Sequence, residues 1–204
     1  MHYPDRRPGH LRTLRERLAH EAARLMIENG IRDYGLAKRK AARRLGVRAA
    51  WALPGNAEID ARVTEWQEIF EPEIHGHRLR ELRSLALEVM DALSVFNPRL
   101  AGPVLSGAIN VNSPIELHLF TDAPENVAMS LDAWGKTYRD CQRRHRYNGR
   151  GVALIPGFRF DIRGQQVEAL VFPEKGLRQA PMSPVDGRPM PRANRARVRD
   201  LLED

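Results

Sequence analysis

The chain has 204 residues, 42% of them hydrophobic and 29% charged, which is long and apolar enough for a buried core and too apolar for a disordered chain. Its 33 Lys and Arg against 26 Asp and Glu give a formal charge of +7. That balance favours phosphate-bearing partners such as nucleotides or RNA, although an Arg-rich composition alone gives the same excess. Cys141 is the single cysteine, which excludes an intramolecular disulfide, and charges interrupt every apolar run well short of a membrane span. The reading is a soluble, cytoplasmic protein with no membrane partner.

In chain order, Leu11, Leu14, Leu18, Ala22, Leu25 and Met26 recur at three- and four-residue steps. They predict a helix from Leu11 to Asn29, stopped by Gly30. Asp33 caps a second helix through Leu45, ended by Gly46, with Lys38, Arg39, Lys40, Arg43 and Arg44 on its outer surface. A helix-turn-helix DNA reader is not favoured, because the following segment runs into Trp51-Ala52-Leu53-Pro54-Gly55 instead of a recognition helix. Asn56 caps a third helix through Ile59, Val63, Trp66 and Phe70. A fourth starts near His77, runs through Leu82, Leu85, Val89 and Leu93, and closes at Asn97-Pro98.

Beyond Pro98 the apolar period changes from near four to two. Pro103 to Ser106 reads as a short strand and Pro114 to Thr121 as a second, with Ile115, Leu117 and Leu119 on one face and Glu116 and His118 on the other. Asp122 caps a helix to about Trp134. Arg150 to Ile162 and Gln165 to Phe172 read as two further strands joined across Arg163-Gly164. A Pro- and Arg-rich segment follows from Gly176, then a short helix from Asn194 to Leu202. The expected architecture is mixed α/β (α+β): a helical module over 1–98, a small mixed sheet with flanking helices over 99–175, and a C-terminal strap over 176–204. The strap reads either as a mobile tail or as an extended segment that brings Arg178 and Arg188 close to the sheet.

The stretch that carries chemistry is Leu105-Ser106-Gly107-Ala108 followed by Ser113-Pro114-Ile115-Glu116-Leu117-His118-Leu119-Phe120. It resembles the signature of the polymerase-beta-like nucleotidyltransferases, especially the minimal bacterial ones, and the resemblance runs from Gly102 to Pro173. In that family a Gly-Ser pair after the first strand holds the nucleotide's phosphates. A Ser-Asp-x-Asp strand then supplies two metal-binding carboxylates, and a later strand supplies a third. Carboxylates at i and i+2 of a strand share a face, so both can hold magnesium against a triphosphate.

By position, the resemblance gives Ser106 and Gly107, in reversed order, to the phosphate loop, and puts Pro114 where the first aspartate belongs. Glu116 takes the second carboxylate position and Glu168 the third, so both are the candidate catalytic and Mg2+-binding groups, with His118 as a further candidate ligand. Proline offers no metal ligand and removes a backbone donor from the strand. The implied activity is transfer of a nucleoside monophosphate from an NTP to a hydroxyl acceptor. The alternative is a catalytically inactive nucleotidyltransferase-like module that binds RNA or regulates a protein. Read without the resemblance, Glu116 and Glu168 are solvated charges on a half-covered sheet, and His118 is a surface or hydrogen-bonded histidine.

Arg139, Arg143, Arg144, His145, Arg146 and Arg150 gather before and within the turn at Asn148-Gly149. They read as a grip on a triphosphate or RNA backbone, or equally as a solvated hairpin tip. Tyr138 and Tyr147 are interleaved with them and suited to stacking on bases. His75-Gly76-His77 is not a helical metal motif, since i and i+2 face apart. The sequence shows no Walker loop, dinucleotide fingerprint or zinc spacing.

Overall fold

The computed structural model describes residues 8–47, 50–70, 72–147 and 151–203. By contact the chain divides into two compact units. One spans Met1–Pro72 with the short segment Asn110–Asn112; the other spans Glu73–Ile109 and Ser113–Asp204.

The first unit is helical, as its periodicity predicts. Helix α1 (Pro8–Glu28) contacts both α2 (Tyr34–Arg44) and α3 (Asn56–Phe70). Its stripe of Leu18, Ala22, Leu25 and Met26 is buried together with Ala37, Ala41, Ile59 and Val63. Asp33 caps α2 as expected, its carboxylate accepting the Leu36 amide, and Gly30 and Gly46 take the left-handed conformation at the stops. Arg15 forks onto Glu58, with Nε 2.7 Å from Oε1 and Nη2 2.6 Å from Oε2.

The second unit opens with α4 (Pro72–Ala92), which starts five residues ahead of the expected His77. Its Leu82, Ala86 and Val89, with Leu93 just beyond its end, belong to the same buried cluster as the sheet. For that reason the division falls at Pro72, ahead of the boundary that the change of period at Pro98 suggests. Next come β1 (Arg99–Ala101), α5 (Gly102–Ser106), β2 (Ile115–Phe120), α6 (Pro124–Ala133), β3 (Tyr138–Tyr147), β4 (Gly151–Ile162), β5 (Gln165–Phe172) and α7 (Arg195–Glu203). The five strands form one mixed sheet in the order β1-β2-β5-β4-β3, in which only β2 and β5 run parallel. The fold is therefore mixed α/β, as expected. Ile115, Leu117, Leu119, Val167, Ala169, Val171, Phe158 and Phe160 line one face, in one cluster with α4, Val127 and Leu131 of α6, and Val198 of α7. Each fully buried side chain of this size contributes roughly 1.5–3 kcal/mol.

Several local expectations change. Pro103 to Ser106 is helical, not a strand. Pro103 occupies the first turn, where its missing N–H costs nothing, and Gly107 closes the turn with a left-handed φ of 92°. The first strand is the shorter segment just before it. Asp122 does not cap α6; its carboxylate accepts the Glu174 amide at 3.3 Å. Tyr138 to Tyr147, which reads as the approach to a turn, is a full edge strand. Asn148, Gly149 and Arg150 lie outside the described residues. The C-terminal segment is tied to the unit: Leu100 and Ala193 exchange backbone hydrogen bonds of 2.8 and 2.9 Å. No helix among the described residues is long and apolar enough to cross a membrane.

Candidate functional site

Strand alternation and register together build the site. In the parallel pair, Glu116 of β2 lies opposite Glu168 of β5, on the face turned away from the α4 cluster. The tight Arg163-Gly164 turn fixes the β4–β5 register, which sets Arg159 opposite Glu168. Gly102, with φ of 68°, passes directly over Glu116, and an added Cβ there would come 3.1 Å from Oε2. The glycine thus makes room for the carboxylate beneath the start of α5.

Neither glutamate is solvated. Glu116 is 3% exposed and Glu168 0%, so the reading as surface charges does not hold. Their charges are met inside the protein. Arg143 of β3 donates through Nη1 to Glu116 Oε2 and through Nη2 to Glu168 Oε2, the latter at 3.3 Å. Arg159 Nη2 stands 3.4 Å from Glu168 Oε1, and His118 Nε2 stands 3.4 Å from Glu116 Oε1. A guanidinium thus sits between the two carboxylates that the resemblance assigns to metal.

The electrostatics follow from this enclosure. Burial alone would raise the pKa of Glu116, but His118 and Arg143 hold it down to about 2, so it stays ionised. His118 is pushed down by burial against the opposing pull of Glu116. Burial, with help from His118 and Arg143, takes His145 to about 4, so at neutral pH it is uncharged. His118 and His145 meet edge to face at 5.9 Å and both rest on Phe172, at 4.4 and 5.6 Å. His118 Nδ1 and His145 Nε2 are buried without a hydrogen-bond partner.

The expected residues are only partly brought together. Glu116, Glu168, His118 and Arg143 converge. Arg144 and Arg146 lie on the opposite side of β3 from Arg143, because side chains alternate, and they share that side with the exposed Val152 and Leu154 of β4. Arg139 is exposed farther along β3. Ser106 is exposed at the end of α5; its hydroxyl donates to Pro103 O and accepts the Ala108 amide, both at 3.4 Å. A five-residue helix stands where the phosphate loop was expected. Tyr138 meets Phe158 edge to face at 5.2 Å, and both Tyr138 and Tyr147 are half-buried. In the strap Arg178 and Arg188 are exposed. Arg192 is the arginine that reaches the sheet, 5.2 Å over the Phe120 ring while bonding Gly176 O.

No protein-family model, curated protein or solved structure matches the chain. The chemistry therefore rests on the residues themselves. Magnesium demands near-octahedral oxygen donors, and here the carboxylate oxygens face cations, while Pro114 supplies no donor. Among the described residues no group of three or more His, Cys, Asp and Glu stands where it could hold a metal. As arranged, these side chains do not fit Mg2+.

Two partners escaped the sequence reading. Arg159 was legible in principle: a two-residue turn at Arg163-Gly164 pairs Ile162 with Gln165, and counting back pairs Arg159 with Glu168. Arg192 left no such signal, since it lies in an irregular segment.

Proposed function

We propose that the chain is a nucleotidyltransferase-like module that does not perform metal-dependent transfer and instead binds RNA. The observation that carries this reading is the Arg143 guanidinium bridging Glu116 and Glu168. The two buried carboxylates face Arg143 and Arg159 in a closed ion network, so their oxygens are engaged by cations and not free to hold a metal. RNA as the partner is supported by the charge of +7 and by Arg144 and Arg146, exposed on one side of β3. Such a row neutralises backbone phosphates and releases counterions.

Calorimetric titration with each NTP, with and without Mg2+, tests the first half. No magnesium-dependent heat is expected in the parent protein. Magnesium-dependent NTP binding that disappears in Glu116→Ala would overturn the reading and restore the glutamates as metal ligands. For the second half, RNA affinity should fall steeply with salt, ignore EDTA, and weaken in the Arg144→Ala/Arg146→Ala variant.

A further inference from the structure

In the first unit, α2 turns a small inner side and a cationic outer side. Ala37 and Ala41 are fully buried, and with such short side chains the helix lies close against its neighbours. Leu36, Arg39, Lys40 and Arg43, at steps of three and four, form one exposed outer face. Other cations of the helix are placed differently: Arg44 Nε stands 3.4 Å from Glu21, and Lys38 is half-buried, its charge opposed by burial and by Arg15 and favoured by Glu58. Among the described residues no ion pair reaches Arg39, Lys40 or Arg43. The helix dipole favours Arg43 in the last turn but does nothing for Arg39 and Lys40 in the middle. Three like charges within about one turn repel each other, and among the described residues none of them is held in an ion pair, although Asp33 lies near Arg39 beside Gly35.

We propose that this face of α2 is a second contact for RNA, in which Arg39, Lys40 and Arg43 hold backbone phosphates; it rests on the RNA-binding reading above. Charge complementarity selects the occupant. Arg39 and Arg43 rise ~6 Å apart along the axis, a span that places two cations on nearby phosphates of one strand. The contact is to the backbone and not to bases, because the next described element is the short 3-10 turn Ala50–Ala52 and not a recognition helix. It lies in the first unit, whereas the β3 arginines lie in the second.

The test is the affinity of the full chain for a short single-stranded RNA as a function of KCl. Arg39→Gln/Lys40→Gln/Arg43→Gln should weaken binding roughly tenfold to a hundredfold near 0.1 M salt and lower the slope of log affinity against log salt by about 2. Lys38→Gln, at a half-buried position off this exposed face, should change neither by much. All four side chains lie at the helix surface and glutamine suits a helix, so unchanged circular dichroism and Tm accompany the expected result. A triple variant with the parent's affinity and slope overturns this inference alone, provided that Arg144→Ala/Arg146→Ala still weakens binding. No RNA binding by the parent overturns the RNA reading and this inference together. Tighter binding to a DNA duplex than to RNA overturns the assignment of this face to RNA.

Discussion

The two faces of the sheet come from the same strands, and only one of them encloses charge beside its apolar residues. Toward α4, α6 and α7 the strands present Ile115, Leu117, Leu119, Val167, Ala169 and Val171, a surface held by removing apolar area from water. On the other side the same strands present Glu116, His118 and Glu168, met by Arg143 and Arg159 from β3 and β4. The first face tolerates a change of shape at fixed volume: Leu117→Met should cost under about 1.5 kcal/mol. The second tolerates no unilateral loss, because a buried charge left without its partner has nowhere to go.

The sharpest break in that comparison is Arg143→Met. It keeps the apolar stem and deletes the charge shared by two buried glutamates, and should cost about 3–5 kcal/mol in urea unfolding. Adding Glu116→Gln and Glu168→Gln to it should recover much of that loss, since no charge is then stranded. A triple variant no more stable than Arg143→Met would show that the carboxylates are not charged as described.

Next in size is pH. His145 is held at about 4 in the folded chain, first by burial and then by His118 and Arg143. Its folded pKa lies below the unfolded value of about 6.5. The stability tied to its neutral form is therefore full above pH 6.5 and is lost as the pH falls from there toward 4. The loss is on the order of 3 kcal/mol. Glu116, depressed to about 2, adds a further loss as the pH falls from about 4.3 through that folded value. Unfolding measured between pH 7 and pH 4 should show the decline, and His145→Gln should flatten its upper part.

Gly157→Ala comes third. A Cβ there would stand 2.5 Å from Ala169 O and 3.0 Å from the Leu170 Cα, so β4 must move off β5. A cost of about 2 kcal/mol is expected, together with disturbance of the Arg143–Glu116 contact, visible in the stability profile below pH 5. The smallest effect on stability belongs to Arg144→Ala, which is exposed and should stay within about 0.5 kcal/mol. Only RNA binding should register it, and a large fall in Tm would show that Arg144 serves the fold.

Much of the scaffold was legible because it is local. The stripe from Leu18 to Met26, the Asp33 cap, the stops at Gly30 and Gly46, and the alternation from Ile115 to Phe120 are set by neighbours within a few residues, and the structure keeps them. The edge strand β3 was not legible: its run of arginines has the composition of a solvated turn, and it becomes a strand by pairing with β4. Likewise Pro103 to Leu105 are apolar enough for a strand, and only their place between Gly102 and Gly107 selects a turn of helix.

For the candidate site, sequence alone determined which side chains share a face, because a strand's period is two, and which arginine faces Glu168 across the Arg163-Gly164 hairpin. Tertiary structure alone decided that Glu116 and Glu168 are buried and that Arg143, 27 residues beyond Glu116 in the chain, lies between them. That contact depends on the strand order, which sets β3 beyond β5 and β4, and on the close strand approach that Gly157 permits. Neither is encoded in any short stretch of residues, since both arise when distant strands satisfy one another's charge and shape at once.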